Sequence, residues 1–480
     1  MTTAAVEGAQ APARPGVPPA ADPAHPGAGA GLPRRVSTGY AVGALASGTF
    51  TTLPGLLLLP YFTDTLGVAA AAAGLAVLLP KAWVAVLNPL VGRVSDRTRS
   101  RWGARRPYVL CGGLAMAAAF ALMFSGLAHG TAGAWLTEGG FLLTATAFAF
   151  FQIPYAAMPA ELGAHRRDQV RLAAGRVAVI GIAALVAGSV APALVEAGGG
   201  GVAGHRWAGL FGAAVIAAGA LGVFLGTAGA RPGPVLASEP SLLRQLRVAR
   251  GDAPFMALLR AATVQTVATG VLLAGAPYLA RQVLGGAGWT GALVACFVAP
   301  NFVSTPVWSR LGVRLGGRRA YTVSCALFST GCVLVLVAPV LPVPVPVVLA
   351  GMLLAGTGHA GQLLFLYAML PECIAREAER TGTRGGGLLA GLFSTGEAVG
   401  LAVGPFLFAL VLQAFGYLSS DSSRAVEQTS LAELGILVGT AVVPVLATAI
   451  AAVSLRGYRG DESGYRDNEK SRRAGGASDA

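Results

Sequence analysis

Residues 89–108 read PLVGRVSDRTRSRWGARRPY, and residues 306–321 read PVWSRLGVRLGGRRAY. Each stretch closes the second long apolar run of its half of the chain, begins at a proline and carries Gly-x-Arg-Arg just before the next apolar run. The two stretches are therefore internal repeats at equivalent positions. They predict two parallel six-helix halves, with a binding site at their interface near the middle of a membrane.

The composition predicts a membrane protein with many spanning helices. Of the 480 residues, 54% are hydrophobic and only 12% are charged, whereas a soluble globular protein carries about a quarter charged residues. The mean hydropathy is +0.64, and apolar runs of about 20 residues alternate with short arginine-bearing loops. This composition excludes a soluble enzyme, a nucleic-acid-binding protein and a secreted domain.

The net charge of +13 is distributed in a way that predicts orientation. Most Lys and Arg residues fall in alternate loops, and the opposite loops contain Arg206, Arg281 and Arg424. By the positive-inside rule, both termini are predicted to be cytoplasmic, in a multi-pass protein of the plasma membrane. The basic loops are predicted to contact the lipid bilayer and not nucleic acid.

The apolar runs predict an all-α polytopic protein with twelve transmembrane helices in two pseudo-symmetric bundles. The predicted helices are 38–62, 69–94, 106–127, 133–159, 170–195, 206–229, 254–281, 287–310, 319–340, 343–369, 385–414 and 430–455. The predicted organisation is a disordered cytoplasmic tail (1–35), a six-helix bundle (36–229), a cytoplasmic linker (230–253), a second six-helix bundle (254–456) and a second disordered tail (457–480).

Several short motifs in the first bundle occur together in one family of transporters. They are Tyr61-Phe62-Thr63-Asp64, Leu66-Gly67, Trp83, Asn88-Pro89, Gly92, the run SDRTRSRWG at 95–103, Arg106-Pro107, Ile153-Pro154-Tyr155 and Arg176, with Gly391-Leu392-Phe393-Ser394 in the second bundle. With these motifs the sequence resembles the glycoside–pentoside–hexuronide:cation symporters, the branch of the major facilitator superfamily that includes melibiose permease. The resemblance implies the major facilitator fold, secondary transport and a monomeric protein.

The sequence departs from this family where a coupling cation binds. Members coupled to Na⁺, Li⁺ or H⁺ typically have Trp-Asp-x-x-Asn-Asp-Pro in helix 2, and its carboxylates supply oxygen ligands. Here Val84 and Asn88 stand at the two carboxylate positions. Hard cations prefer anionic oxygen ligands, so the family's cation site is predicted to be absent.

The carboxylates that bind sugar in the family are replaced as well. Gly48 and Gln152 stand near the helix 1 and helix 4 positions, and Ala398, next to Glu397, stands at the helix 11 lysine. A site for sugar hydroxyls needs several charged or bidentate partners. A melibiose-like disaccharide is therefore not the predicted substrate.

Polar side chains within the spans are predicted to bind substrate. Arg176 matches a family position associated with substrate binding, and Gln265 and Asn301 would face Gln152 across the pseudo-twofold axis if they point inward. The alternative for His359 is a hydrogen-bonded packing role. The candidate binding residues are Asn88, Gln152, Tyr155, Arg176, Gln265, Asn301, His359 and Gln362.

Two further ionisable residues within the spans are candidates for proton coupling. Ionisable groups in hydrocarbon are costly and usually face a cavity or a partner. Glu397, about half-way along helix 11, is the first candidate, with an interhelical ion pair or hydrogen bond as the alternative. Lys81 is the second; it would neutralise Glu397 or meet an anionic group of the substrate, and its alternative is a snorkelling or structural role.

The basic repeat and the ends of two helices supply candidate gating residues. A carboxylate at the end of helix 2 that pairs with nearby arginines would lock one conformation and separate in the other. The alternative is charge that only sets topology. The candidate gating residues are Asp96, Arg97, Arg101, Arg105, Arg106, Glu161, Arg318 and Glu372.

These features together predict a secondary transporter that works by alternating access. A mostly apolar cavity with a few amides and charges suits an amphiphilic organic solute, such as a natural product or drug-like compound. Export is the favoured direction, by proton antiport through Glu397 or by simple facilitated diffusion. The alternatives are import of a sugar, glycoside or lysolipid-like solute by cation symport, and a transport-dead sensor. The dispersed histidines and cysteines contain no metal-binding or H-E-x-x-H spacing, so no enzyme, metal or cofactor is predicted.

Overall fold

A computed structural model describes residues 32–98, 100–162, 166–229, 251–381, 386–420 and 427–458. Most of the predicted tails and of the predicted linker lies outside these residues, although Arg34 and Arg35 of the predicted first tail belong to the first helix. The helices in chain order are α1 (Arg34–Leu58), α2 (Ala70–Arg97), α3 (Arg106–Met123), α4 (Gly130–Leu162), α5 (Arg166–Ala197), α6 (Gly201–Gly226), α7 (Ala253–Val283), α8 (Trp289–Val303 with Thr305–Leu315), α9 (Gly317–Val340), α10 (Pro344–Thr381), α11 (Gly386–Ala414) and α12 (Ser430–Ser454).

The helices form two bundles, α1–α6 and α7–α12. Within the first, α3 packs against α4 and α6, and α1 packs against α5 and α6. The second repeats the pattern, since α9 packs against α10 and α12, and α7 packs against α11 and α12. Eleven helices of the described residues are long and apolar enough to span a membrane, and the bent α8 makes twelve. The predicted all-α architecture is confirmed.

Helix α8 differs from the continuous helix predicted over 287–310. It bends by 55° between Val303 and Thr305. Pro300 and Pro306 flank the bend, and each proline removes a backbone N–H donor and crowds the preceding turn. The part after the bend, Thr305–Leu315, contains the basic residues of the second repeat, so that much of the repeat is helical.

The two ends of the molecule differ in charge. The basic end is the end at which α2 finishes at Arg97 and α8 at Leu315, and the opposite end is the end at which α2 begins at Ala70. Helix α10 passes its predicted boundary at 369 and reaches Thr381, so it projects beyond the apolar span at the basic end.

Glycines allow the closest helix contacts. Gly39 of α1 faces Gly226 of α6 backbone to backbone, and a Cβ added to either residue would overlap the Cα of the other. Gly270 of α7 meets Gly404 of α11 in the same way. Small residues at such crossings are the usual means of close packing between membrane helices.

Replacing Gly226 with alanine is expected to lower the free energy of unfolding by about 1 to 3 kcal/mol, because α1 and α6 must separate to admit the methyl group. Denaturant titration of the purified protein measures the change. Gly139→Ala is the matched control, since its added Cβ meets no atom within 4 Å. Equal stability of the Gly226→Ala and Gly139→Ala variants would contradict the packing argument.

Candidate functional site

A polar cluster joins the two bundles at the opposite end. The Asp64 carboxylate, just beyond α1, forms an ion pair of 2.9 Å with Arg281 near the end of α7. Its other oxygen accepts hydrogen bonds from the hydroxyls of Thr63 (2.7 Å) and Tyr417 (2.9 Å). The Thr63 hydroxyl also lies 2.7 Å from that of Tyr278. These five residues are called the Asp64 cluster below.

The segment after α11 adds two more hydrogen bonds between the bundles at the opposite end. The backbone N–H of Ser420 donates to the carbonyl of Thr63 (2.9 Å), and the Ser419 hydroxyl donates to the carbonyl of Val68 (2.8 Å). Both bonds run from the second half of the chain to the first. Because Asp64 is only 8% exposed, its hydrogen bonds are shielded from water. Charge-assisted hydrogen bonds are stronger in such a shielded place than in water.

Below the Asp64 cluster the halves meet along two pairs of helices. Gly74 of α2 faces Ala409 of α11. Gly188 and Gly181 of α5 face Val294 and Phe302 of α8. These contacts lie between the opposite end and the middle of the helices. The described halves are therefore in close contact on that side of the protein.

Lys81 lies in this contact region, between α2 and α11. Its Nζ donates to the backbone carbonyl of Leu401 in the other half, at 3.2 Å. The two residues line a small cavity of about 30 Å³ between the halves. Neutralisation of Glu397 was one of the roles considered for Lys81 from the sequence. In the structure the described partner of Lys81 is the Leu401 carbonyl, one helical turn from Glu397.

Arg176 projects from α5 against an aromatic group. Its guanidinium lies 5.3 Å from the centre of the Tyr155 ring, a cation–π contact. Tyr155 stacks on Tyr40 at 4.7 Å and donates its hydroxyl to the Tyr40 carbonyl at 2.7 Å. Tyr155 is fully buried and packs beneath the Arg176 guanidinium. Of these two predicted binding residues, Arg176 is the more accessible.

Glu397 lies in the second bundle and accepts a hydrogen bond of 2.9 Å from Tyr367 of α10. The Tyr367 side chain is 50% exposed, and it lies within electrostatic range of Arg176 from the first bundle. The sequence analysis missed Tyr367. Arg176 of the first bundle and Tyr367 and Glu397 of the second therefore contribute a cation, a hydroxyl and a carboxyl group to neighbouring parts of the two halves. They are called the central triad.

Three other predicted binding residues, Gln265, His359 and Gln362, make their described contacts inside the second bundle. Gln265 of α7 donates to Gln362 of α10, and both are fully buried. His359 stacks on Phe297 and lies 3.4 Å from the Thr269 hydroxyl. Gln265 does not face Gln152 across the axis, because its amide is directed to Gln362. These contacts have the interhelical packing role that was the alternative for His359.

The remaining amides occupy separate positions. Gln152 accepts a hydrogen bond of 2.6 Å from Ser47 of α1, within the first bundle. Asn301 lies at the bend of α8 with its buried Oδ1 lacking a hydrogen-bond partner among the described residues. Asn88 is partly buried near the basic end of α2. The structure does not bring these three side chains together.

Two arginines of the first repeat, Arg105 and Arg106, are held by their own bundle. Arg105 is buried and donates to Ser95 at 2.6 Å. Arg106 donates to the carbonyl of Phe224 in α6 at 2.6 Å, with its guanidinium over that ring. These contacts tie the α2–α3 turn to the first bundle.

The other predicted gating residues are more dispersed. Arg97, Arg101 and Arg318 are exposed. Glu372 accepts a hydrogen bond of 2.9 Å from Tyr458, which follows α12 in the same bundle. The side chains of Asp96 and Glu161 lie outside the described part of the structure, so their predicted pairings stay predictions.

Comparison with known proteins gives a family and a fold. The family model described as MFS/sugar transport protein matches residues 39–462. The chain is 27% identical to the uncharacterized symporter YnaJ of Bacillus subtilis (strain 168), over 89% of this chain and 92% of that protein. It is also 27% identical to the glucuronide carrier protein homolog of Escherichia coli (strain K12), over 85% and 89%.

Among solved structures, the chain is similar to a bacterial homolog of the human lysosomal transporter Spinster in an inward-facing, unoccupied conformation. The TM-score is 0.66 at 14% identity, over 88% of this chain and 96% of that one. At this identity the likeness concerns the fold, which agrees with the two six-helix bundles described above.

Proposed function

Because this chain belongs to the MFS/sugar transport protein family and is therefore a membrane transporter, we propose that it moves a small amphiphilic organic solute across the plasma membrane by alternating access. The basic end is placed at the cytoplasmic face, with both termini on that side. The protein works as a monomer of two six-helix bundles, 36–229 and 254–456, joined by the cytoplasmic linker.

One observation carries this proposal: the Asp64 cluster bonds the two halves at one end, while the central triad has members in both halves. Alternating access requires contacts that hold one end shut and separate when the halves rock. The Asp64–Arg281 pair crosses between the halves and has hydroxyl partners on both sides. The cytoplasmic-side arginines and acids are the matching candidates for the other gate.

Proton coupling through Glu397 is the proposed energy source. Its carboxyl group lies in a membrane helix and accepts a hydrogen bond from Tyr367, the hydroxyl that interacts electrostatically with Arg176 of the other half. Loss and gain of one proton would change the net charge of the central triad and hence its attraction across the cavity. An inward proton gradient would drive export of the solute in exchange.

Import of a sugar or glycoside with a cation is the second candidate function. The names of the relatives support it, since several are symporters and one is a putative glycoside/cation symporter. Val84 and Asn88 at the positions of the family's carboxylates oppose Na⁺ or Li⁺ as the coupling ion. A proton symport through Glu397 is compatible with the same residues.

Comparative metabolite profiling of cells and medium, with the gene deleted and then restored, tests the proposal. A compound that accumulates inside the deletion strain identifies export and its cargo. A compound that stays unused in the medium identifies import and supports the second candidate. Identical profiles of the deletion and restored strains, in cells shown to make the protein, would contradict a role in moving a metabolite of those cells.

A further inference from the structure

Lys81 is a partly buried cation at the contact between the halves. It lies eleven residues into α2, about 16 Å from the opposite end of that helix at 1.5 Å per residue. Its Nζ reaches across to the carbonyl of Leu401 in α11. No carboxylate of the described residues forms an ion pair with it. Removing an ammonium group from water without a counter-ion costs free energy. The groups that contact Lys81 therefore indicate what the site can bind.

The Leu401 carbonyl is available because of Pro405. In a helix the carbonyl of residue i accepts from the N–H of residue i+4. Residue 405 is a proline inside α11, and proline has no N–H. The carbonyl of Leu401 thus lacks its usual donor and accepts from Lys81. An ammonium group has three donors, and this bond uses one of them.

The remaining donors of Lys81 adjoin an empty space. The 30 Å³ cavity is walled by Thr52 and Gly55 of α1, Leu273 of α7, Val294 of α8 and Pro405, with Lys81 as the one charged residue of its described lining. A Cβ built on Gly55 meets no atom within 4 Å, so the space beside Gly55 is open. A carboxylate is small enough to enter it.

We propose that Lys81 and this cavity form the binding site for an anionic group, a carboxylate, on the transported solute. The inference rests on the proposed transport function and narrows its cargo to amphiphilic organic anions. In the described state the Leu401 carbonyl acts as a neutral stand-in for the anion. When the halves separate at the opposite end, the Lys81–Leu401 bond breaks and the carboxylate takes its place.

The position of Glu397 fits this assignment. Glu397 precedes Leu401 by four residues, which is one helical turn or about 6 Å toward the basic end. A solute with its carboxylate at Lys81 would extend its apolar body past the central triad. Because the carboxylate of the cargo would repel a charged Glu397, anion binding would favour the protonated form of Glu397. Cargo and proton would then be carried together, as in the proton symport of the second candidate function, and not in exchange.

Thermal unfolding of the purified protein with matched pairs of compounds tests the site. The probes are indole-3-acetate with indole-3-acetamide, and 4-phenylbutyrate with 4-phenylbutyramide, which differ only in the charged group. The carboxylates are expected to raise the Tm and the amides are not. Lys81→Met is expected to weaken carboxylate binding about 10- to 100-fold, as for loss of a hydrogen bond to a charged group, and Lys81→Arg to retain part of it.

Two further variants separate a binding role from a structural one. Gly55→Leu is expected to fill the cavity while keeping the lysine in the sequence, and so to abolish the response, with Gly139→Leu at an open position as its control. Pro405→Ala returns an N–H donor to the Leu401 carbonyl and is expected to strengthen the response, because Lys81 loses its competing partner. Arg206→Gln, at a cation of the opposite end whose described bond stays within the first bundle, is expected to keep the preference for carboxylate over amide.

The assignment is overturned if neither carboxylate stabilises the wild type, if acid and amide do so equally, or if Lys81→Met keeps the preference. A neutral cargo in the profiling experiment would also overturn it while leaving the transport proposal intact. Identical metabolite profiles, by contrast, bear on the transport proposal alone.

Discussion

Replacing Asp64 with alanine is expected to open the opposite end of the protein. The substitution leaves Arg281 without its carboxylate and removes the acceptor of two hydroxyls. Breaking a fully buried pair costs about 3 to 5 kcal/mol; Arg281 is 26% exposed, which reduces this to about 2 kcal/mol after allowance for solvent screening. At 1.4 kcal/mol per factor of ten, the closed state loses about 30-fold in relative population.

Pulsed electron paramagnetic resonance measures this opening. Spin labels at Leu127, in the α3–α4 loop, and Val340, at the end of α9, report on the two halves, since these side chains are 72% and 84% exposed at that end. The five native cysteines are first replaced. Asp64→Ala is expected to add a population in which the two spin labels are farther apart. Asp64→Asn keeps a carbonyl acceptor and is expected to add a smaller population of this kind.

Arg206→Ala is the matched control for Asp64→Ala. Arg206 is an arginine at the same end whose described bond, to the carbonyl of Ser125, stays within the first bundle. Its loss is expected to leave the distances unchanged. If Asp64→Ala gives the wild-type distribution, or Arg206→Ala gives the same opening, the Asp64 cluster does not hold the end shut.

Replacing Glu397 with glutamine is expected to uncouple transport from the proton gradient. Glutamine can still accept the hydrogen bond from Tyr367, but it cannot take up or release a proton. In proteoliposomes the variant should move the cargo down the gradient of the cargo itself. An imposed pH gradient should no longer accelerate this movement, and the rate should not vary with pH.

Tyr367→Phe and Glu433→Gln are the controls for this experiment. The first removes the hydroxyl but leaves the Glu397 carboxyl, so coupling is expected to persist with an altered rate. The second neutralises an exposed acid of α12 and is expected to behave as wild type. A pH response of the Glu397→Gln variant equal to that of the wild type would contradict the role of Glu397 in proton coupling.

The fold was predictable because its determinants are local and repeated. Apolar runs give the spans, and the repeat that carries Gly-x-Arg-Arg gives the division into halves. The bend in α8 was missed because the apolar run continues through it, although Pro300 and Pro306 were a usable signal. The extension of α10 to Thr381 was missed because hydropathy marks the apolar core and not the end of a helix.

The candidate site was less predictable because its contacts join distant residues. Asp64 and Arg281 are 217 positions apart; Asp64 was read as part of a motif and Arg281 as loop charge. Gln265 and Gln362 were each placed in the cavity, yet they bond to one another within a bundle. The sequence identifies costly polar groups in spans, but helix rotation decides whether they meet a partner or the cavity.

The most direct test of alternating access is a reversible cross-link at the opposite end. Cysteines at Val68 and Ser419, where the native hydroxyl and carbonyl lie 2.8 Å apart, would form a disulfide between the halves in an otherwise cysteine-free protein. Transport of the cargo found by profiling should stop on oxidation and return on reduction, while each single cysteine variant stays active. Full transport with the cross-link formed would contradict the account.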